Sequence, residues 1–403
     1  MAVALLACSG ESESEPNATG GVGGSAPAGG TGGTATAGAG VGGAGAGGAD
    51  AGGAAGAAGQ YGTGTQVAPQ YVTNIDGAGT TMPSAADGVT VSCPGDCTTD
   101  ATSCLQTAAD AARDQSKALV VPAPTGSCYL ITEAIRVYGS VIGVGYPLIK
   151  MDGATGSSQQ SVIRITDYDG PGMWIAGLRL DGGWDPTGMT PPDGGEWSHG
   201  INANACSNVT IQDNQIQNTA GDSIYLGSSG GGESNVIING NDLSNPYRCN
   251  IAFIHAVGVT VTNNNIAKLN RYVAAIDFEP DDPAGGERVL DVEIAGNATS
   301  VPNGPVADGC TNVCRDFLLS ASCSPDQGTP HGGSLFIHDN AVESYMAANV
   351  TTGEGPGFAS NNSSTWAGGC SAQWQTGTNA HGPGYYVWDN PPGSGTTNGN
   401  SPD

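Results

Sequence analysis

Along the middle of the chain, apolar and polar residues alternate with the period of a strand whose two faces meet different surroundings. Each alternating run ends in the same way. Val209-Thr-Ile211 leads to Asn214-Gln-Ile216, Val236-Ile-Ile238 to Asn241-Asp-Leu243, Val259-Thr-Val261 to Asn264-Asn-Ile266, and Leu335-Phe-Ile337 to Asn340-Ala-Val342. Val292-Glu-Ile294 with Asn297 repeats the pattern with one mismatch, and Met173-Trp-Ile175-Ala-Gly-Leu178-Arg-Leu180 is an earlier unit without the asparagine. Successive asparagines stand 27, 23, 33 and 43 residues apart. Repeats of about 20–50 residues mark stacked coils rather than a sandwich.

The alternation turns Val, Ile and Leu inward, and an Asn at the same turn of every coil can stack as a hydrogen-bonding ladder in a left-handed corner. One coil cannot bury its inner face alone, so neighbours complete the core. A second strand precedes each unit. Aligning Ile201, Ile224, Ile251 and Ile276 as inward residues predicts strands over Gly200–Ala205, Ser223–Gly227, Asn250–His255 and Ala275–Glu279. Upstream, Asp100 is placed to cap a short helix with Leu105, Ala108, Ala109 and Ala112 on one face, a plug for the open end of a solenoid.

Composition sharpens this picture. The 403 residues include 67 Gly, about 17% where globular chains carry roughly 7%. Residues 20–60 alone hold 19 Gly and 13 Ala among 41 positions, too little side chain for a core, which predicts a disordered linker. A net charge of −26, with no Lys or Arg before Arg113, argues against nucleic acid and anionic membrane surfaces as partners. No apolar run approaches the roughly 18 residues of a membrane span.

Leu5-Leu6-Ala7-Cys8 resembles the lipobox of a bacterial lipoprotein, in which small and aliphatic residues precede a cysteine to be acylated. The organisation expected from this is a truncated signal over 1–8 with Cys8 lipidated, and a disordered Gly/Ala-rich linker over 9–67. The β-helix domain is expected over 68–390 and a disordered tail over 391–403. The protein is then exported, monomeric, and held at the outer membrane or cell surface through its lipid alone. Ten further cysteines fit disulfides in an oxidising compartment: Cys93, Cys97, Cys104 and Cys128 as one group, Cys206 with Cys249, and Cys310, Cys314, Cys323 and Cys370 as another. Cys-x3-Cys spacing at 93/97 and 310/314, with no His at ligand distance, argues against zinc.

The order of helix, Ala118-Leu-Val-Val-Pro122, Gly126-Ser-Cys-Tyr-Leu130 and Ser140-Val-Ile-Gly-Val-Gly145, followed by asparagine-bearing coils, resembles the pectate-lyase-like superfamily over residues 90–345. The resemblance implies an all-β fold, a single-stranded right-handed parallel β-helix with an N-terminal cap helix. It also implies that the outward face of the first strand of each coil is a carbohydrate groove. That superfamily includes lyases, hydrolases, epimerases and non-catalytic adhesins, so it does not fix the reaction.

In the alignment above, the outward positions are Asn202 and Asn204, Tyr225 and Gly227, Ala252 and Ile254, then Asp277 and Glu279. Carboxylates at i and i+2 on one strand face lie about 6.5–7 Å apart, inside the range of an acid/base pair in inverting glycosidases. Ile276-Asp-Phe-Glu-Pro280 also resembles a strand found in many β-helix proteins, with an arginine one coil earlier, matched here by Arg248. Asp277, Glu279 and Arg248 are therefore the candidate catalytic residues, and Arg271, Tyr225, Asn202, Asp222 and His199 the candidate substrate-binding residues. Ser198-His-Gly200 and Gly221-Asp-Ser223 resemble polygalacturonase motifs, but the aspartate paired with Asp222 is missing. Glu279-Pro-Asp-Asp282 offers oxygen ligands for Ca2+ as an alternative use; no other cofactor is expected. The expected partner is a polysaccharide, cleaved by a lyase or glycoside hydrolase; the competing expectation is a non-catalytic carbohydrate-binding or adhesive surface module. Trp184 and Trp197, in a long loop, are candidates for stacking on sugar rings.

Overall fold

The computed structural model describes most of residues 68–300 and short strand segments between 319 and 388. Within 68–300 it omits 70, 71, 73, 80, 154–160, 169, 187–196, 228–232, 268–274, 279–286 and 288. Cys8, the linker and the tail lie outside the described residues.

The described strands wind into coils whose neighbours pair in parallel, giving a right-handed parallel β-helix around one apolar core. Three faces run along the axis. The first includes β1 (Ile135–Val137), β2 (Ile163–Tyr168), the start of β3 (Ile201–Gln212), β4 (Ile224–Leu226), β5 (Ile251–Phe253) and β6 (Ile276–Phe278). The second carries Val209, Val236, Val259 and Val292 in register, and the third Ile216, Leu243 and Ile266. Ile201, Ile224, Ile251 and Ile276 are successive register partners and fully buried, as the alternation predicts.

The asparagine ladder runs from Asn214 through Asn241, Asn264 and Asn297 to Asn340. Each Nδ2 donates to the Oδ1 of the next at 2.9–3.0 Å, and each backbone N–H donates to that same oxygen. The coil lacking Asn joins by its backbone, Leu178 N–H donating to Asn214 Oδ1 at 3.1 Å. One detail differs from expectation. The left-handed position belongs to the preceding residue: Asp213 (φ 53°), Gly240 (φ 67°), Asn263 (φ 58°) and Gly296 (φ 66°). That residue turns the chain, and the asparagine after it then points along the stack.

Helix α1 (Thr102–Asp114) caps the end, with Leu105, Ala109 and Ala112 buried in the core and Ala108 packed at its edge. Asp100 Oδ1 accepts from Thr102 N–H at 2.9 Å and so satisfies a free donor of the first turn. Disulfide Cys93–Cys104 ties helix α1 to the segment before it, and Cys97–Cys128 links two adjacent strands beside the cap. Cys206, by contrast, is free and buried, while Cys249 is disulfide-bonded. The expected Cys206–Cys249 pair fails on distance. Two coils separate them, about 9–10 Å of rise, against the roughly 4.4–6.8 Å that a disulfide spans between Cα atoms.

An arm that includes residues 72 and 74–79 crosses the second face against the winding. Val72 N–H donates to Glu293 Oε2 at 2.8 Å, Asp76 and Gly77 N–H to Asn235 Oδ1 at 2.8 and 2.9 Å, and Ala78 N–H to Thr210 Oγ1 at 2.9 Å. Later arm residues meet earlier coils, and the arm buries outward-facing Thr210, Thr260 and Glu293.

Candidate functional site

Register across the first face stacks Asn202 on Tyr225, Tyr225 on Ala252, and Ala252 on Asp277. Each sits between two inward residues of a short strand, so its side chain leaves the core. Two residues before the inward isoleucines comes a second row: His199, Asp222 and Cys249 on consecutive coils. The chain turns sharply here, because Gly200, Ser223 and Asn250 between the two rows are also packed inside. A Cβ at Gly200 would meet Ile216 and Thr219.

The two rows touch. The His199 ring stacks on Tyr225 with centroids 4.4 Å apart and planes 14° from parallel. His199 Nδ1 accepts from Asp222 N–H at 3.0 Å and lies 3.3 Å from Asp222 Oδ2. Asp222 Oδ1 accepts from Cys249 N–H at 2.9 Å, and Cys249 Sγ lies 3.8 Å from Asp277 Oδ2. Hydrogen bonds thus join His199, Asp222 and Cys249 across three coils, and Asp277 lies beside the disulfide-bonded Cys249 on the fourth. His199 and Asp222 are 0% exposed, Arg248 and Asp277 6%. Asp222 Oδ2 and His199 Nε2 have no hydrogen-bond partner among the described residues.

Burial holds His199 below the ordinary imidazole range and the Arg248 charge adds to this; the Asp222 carboxylate opposes both. Because Nδ1 is an acceptor, the proton of the neutral ring resides on Nε2, which makes that atom a donor.

Of the sequence candidates, His199, Asp222, Tyr225, Asn202, Arg248 and Asp277 gather on this face, and Asp277 is buried there. Glu279, Arg271 and the Glu279-Pro-Asp-Asp282 segment lie outside the described residues. No group of three or more His, Cys, Asp and Glu suited to a metal occurs among the described residues. Trp184 is 8% exposed and packs edge-on against Tyr247 with centroids 5.5 Å apart, which makes it a packing residue. Sequence reasoning overlooked Arg136 and Arg164. They precede Asn202 on the same outward row, Arg136 on Arg164 and Arg164 on Asn202. The signal was the shared apolar-Arg-apolar form of Ile135-Arg-Val137 and Ile163-Arg-Ile165.

No protein-family model and no curated protein matches the chain. Among solved structures it is similar to the Agl-KA catalytic domain, at 13% identity and TM-score 0.39, with 66% of this chain covered and 49% of that one. This chain thus spans about half the length of that domain. PfbA, a surface adhesin of Streptococcus pneumoniae, aligns at 12% identity and TM-score 0.39 over 63% of this chain and 78% of its own. The catalytic domain of a GH87 α-1,3-glucanase in complex with nigerose aligns at 13% identity and TM-score 0.37, over 77% of this chain and 56% of its own. The strands, their register and the asparagine ladder make this chain a right-handed parallel β-helix protein.

Proposed function

We propose that this protein is a carbohydrate-active β-helix enzyme of the cell surface, lipid-anchored through Cys8, that cleaves a polysaccharide as a lyase or glycoside hydrolase. Asp277 and Glu279 are the acid/base pair, and Arg248 and Arg271 hold the substrate. One observation carries this reading: ionisable side chains concentrate, almost without exposure, on the outward face of one sheet. Charged groups are seldom buried unless paired or functional; here His199 and Asp222 are paired with each other, and His199 Nε2 has no hydrogen-bond partner among the described residues. A face repeating at the coil spacing of about 4.8 Å also suits an extended polymer.

In a lyase, one carboxylate takes the proton from the carbon beside a uronate carboxylate, Arg248 offsets that carboxylate's charge, and the glycosidic C–O bond breaks to leave an unsaturated sugar. In a hydrolase, repulsion between neighbouring carboxylates keeps one protonated to donate to the leaving oxygen while the other activates water. The burial of Asp277 favours a second reading, binding without turnover. The test is a polysaccharide panel read by absorbance of unsaturated products and by reducing ends, with Asp277→Asn and Glu279→Gln beside the parent. Loss of about 100-fold or more in each variant supports the assignment; unchanged rates remove both residues from it. Binding by a parent that never turns over substrate favours the adhesive module.

A further inference from the structure

We propose that the outward face of the second sheet is a peptide-binding site that recognises a glycine-centred turn, and that the arm carrying Ile75-Asp-Gly-Ala-Gly79 is its resident, releasable ligand. The inference is independent of the saccharide reading of the first face.

The outward row of this sheet runs in register from Trp174 through Thr210, Ile237 and Thr260 to Glu293. Its side chains hold the main chain of the arm. Asn235, at the corner beside the row, accepts from Asp76 and Gly77 N–H through Oδ1 and donates to Gly77 O through Nδ2 at 3.3 Å. Thr210 Oγ1 accepts from Ala78 N–H, and Gly79 N–H closes the turn on Asp76 O at 2.7 Å. Selectivity comes from shape. Gly77 is buried at φ 51°, and a Cβ there would collide with Thr210 Oγ1 and Ile237 Cδ1, so the turn needs glycine. Two glycines of the solenoid clear the receiving side: a Cβ at Gly172 would meet Ala78 O, and one at Gly258 would meet Ile75 Cδ1. Gly258 (φ 70°) stands where the two coils before it carry Asn208 (φ 59°) and Asn235 (φ 55°), which bond to each other at 2.6 Å. The corner gives up its asparagine at the coil where Ile75 is seated.

The face beneath the arm is largely polar, which is what lets the arm release. Thr210, Thr260 and Glu293 take up water once uncovered, and the apolar area exposed is confined to Val72, Ile75 and Ile237. Ile75 is only half-buried and Asp76 is exposed even when docked. Thr260 Oγ1 is 1% exposed and has no hydrogen-bond partner among the described residues, so one position of the row is open to a ligand. A segment held by a few hydrogen bonds and little apolar burial opens locally, well below the cost of global unfolding. Its covalent link to the solenoid gives the arm a high effective concentration, so it excludes a free peptide until it lets go.

The probe is a fluorescein-labelled peptide with the sequence of residues 72–80, titrated into the full chain and read by fluorescence anisotropy, with hydrogen exchange followed by mass spectrometry alongside. The parent is compared with Gly77→Val, which expels the arm and leaves every groove residue in place, and with Gly77→Val combined with Thr210→Val or with Asn235→Gly. Thr210→Val keeps the side-chain shape, and Asn235→Gly suits the left-handed backbone at that corner. In the parent, the amides of Asp76, Gly77 and Ala78 are expected to exchange about 100-fold faster than those of Val236 and Ile238, and in Gly77→Val they lose their remaining protection. The peptide binds the Gly77→Val chain at least about tenfold tighter than the parent, each groove substitution weakens it about tenfold, and a probe carrying Gly77→Val does not bind. A peptide that binds neither chain, binds both equally, or ignores the groove substitutions overturns the site. Arm amides that exchange as slowly as those of Val236 and Ile238 overturn its release. The valine-bearing probe requires no change in the groove, so equal binding of the two probes refutes the proposal even where a groove variant folds poorly.

Discussion

Replacing Asn241 by Ala removes the second rung of the ladder. Its Nδ2 donates to Ile211 O at 2.9 Å and Asn264 Oδ1 at 3.0 Å, and its Oδ1 accepts from Asn214 N–H and Nδ2, both at 3.0 Å. In the variant, Asn264 Oδ1 keeps the backbone N–H of residue 241, and Asn214 Nδ2 keeps Ile175 O. Ile211 O and Asn214 N–H are left without these partners inside the coil. Each orphaned buried group costs about 1–3 kcal/mol, and with the lost packing the sum is about 3–5 kcal/mol. At roughly 2–4 °C per kcal/mol for a domain of this size, a cost near 4 kcal/mol lowers Tm by about 8–16 °C. The assay is guanidinium and thermal unfolding followed by far-UV circular dichroism. Asn265→Ala, next to the ladder but with its side chain on half-exposed Asp242, is the control and costs less than about 1 kcal/mol. An Asn241→Ala cost no larger than the control would refute the view that the ladder ties the coils together.

Two further outcomes follow from buried titratable groups. His199 is held below its ordinary range in the fold but titrates near 6.5 when unfolded, so the unfolded chain binds the extra proton and stability falls as pH drops below about 6.5. His199→Gln removes that component, and parent and variant melting curves between about pH 5 and 8 check it; parallel pH dependences contradict it. Burial, helped by the Glu233 charge, pushes the Cys206 thiol far above the usual range. Iodoacetamide at pH 8 therefore leaves Cys206 unmodified in the native protein and alkylates it after unfolding, by peptide mapping; native modification contradicts its burial.

The solenoid was legible because its signal is local and repeated: Asn214, Asn241, Asn264, Asn297 and Asn340 each follow the same alternating run, and only stacking gives them a common partner. The isoleucine alignment likewise carried the register of β3 to β6. Sequence did not reveal that β3 is one strand from Ile201 to Gln212, since left-handed Ala205 and Asn208 bend it without ending it. Nor did it mark the residue before each ladder asparagine as the left-handed one, because Asp213, Gly240, Asn263 and Gly296 share no side-chain type. At the site, Tyr225, Asn202 and Asp277 came from the alternation. The meeting of His199 with Asp222 depends on a turn two residues upstream of the aligned isoleucines, where period two no longer holds. Arg136 and Arg164 escaped because their coils precede the first ladder asparagine, which left no marker to extend the register toward the cap.

Whether the outward first face performs chemistry on a polysaccharide is decided by the Asp277→Asn arm of the turnover assay. With a polymer that the parent cleaves, Asp277→Asn lowers kcat by about 100-fold or more while affinity for the polymer stays within about threefold, because one acid/base group is lost and the arginine contacts remain. A variant that cleaves as fast as the parent removes Asp277 from the chemistry of this face.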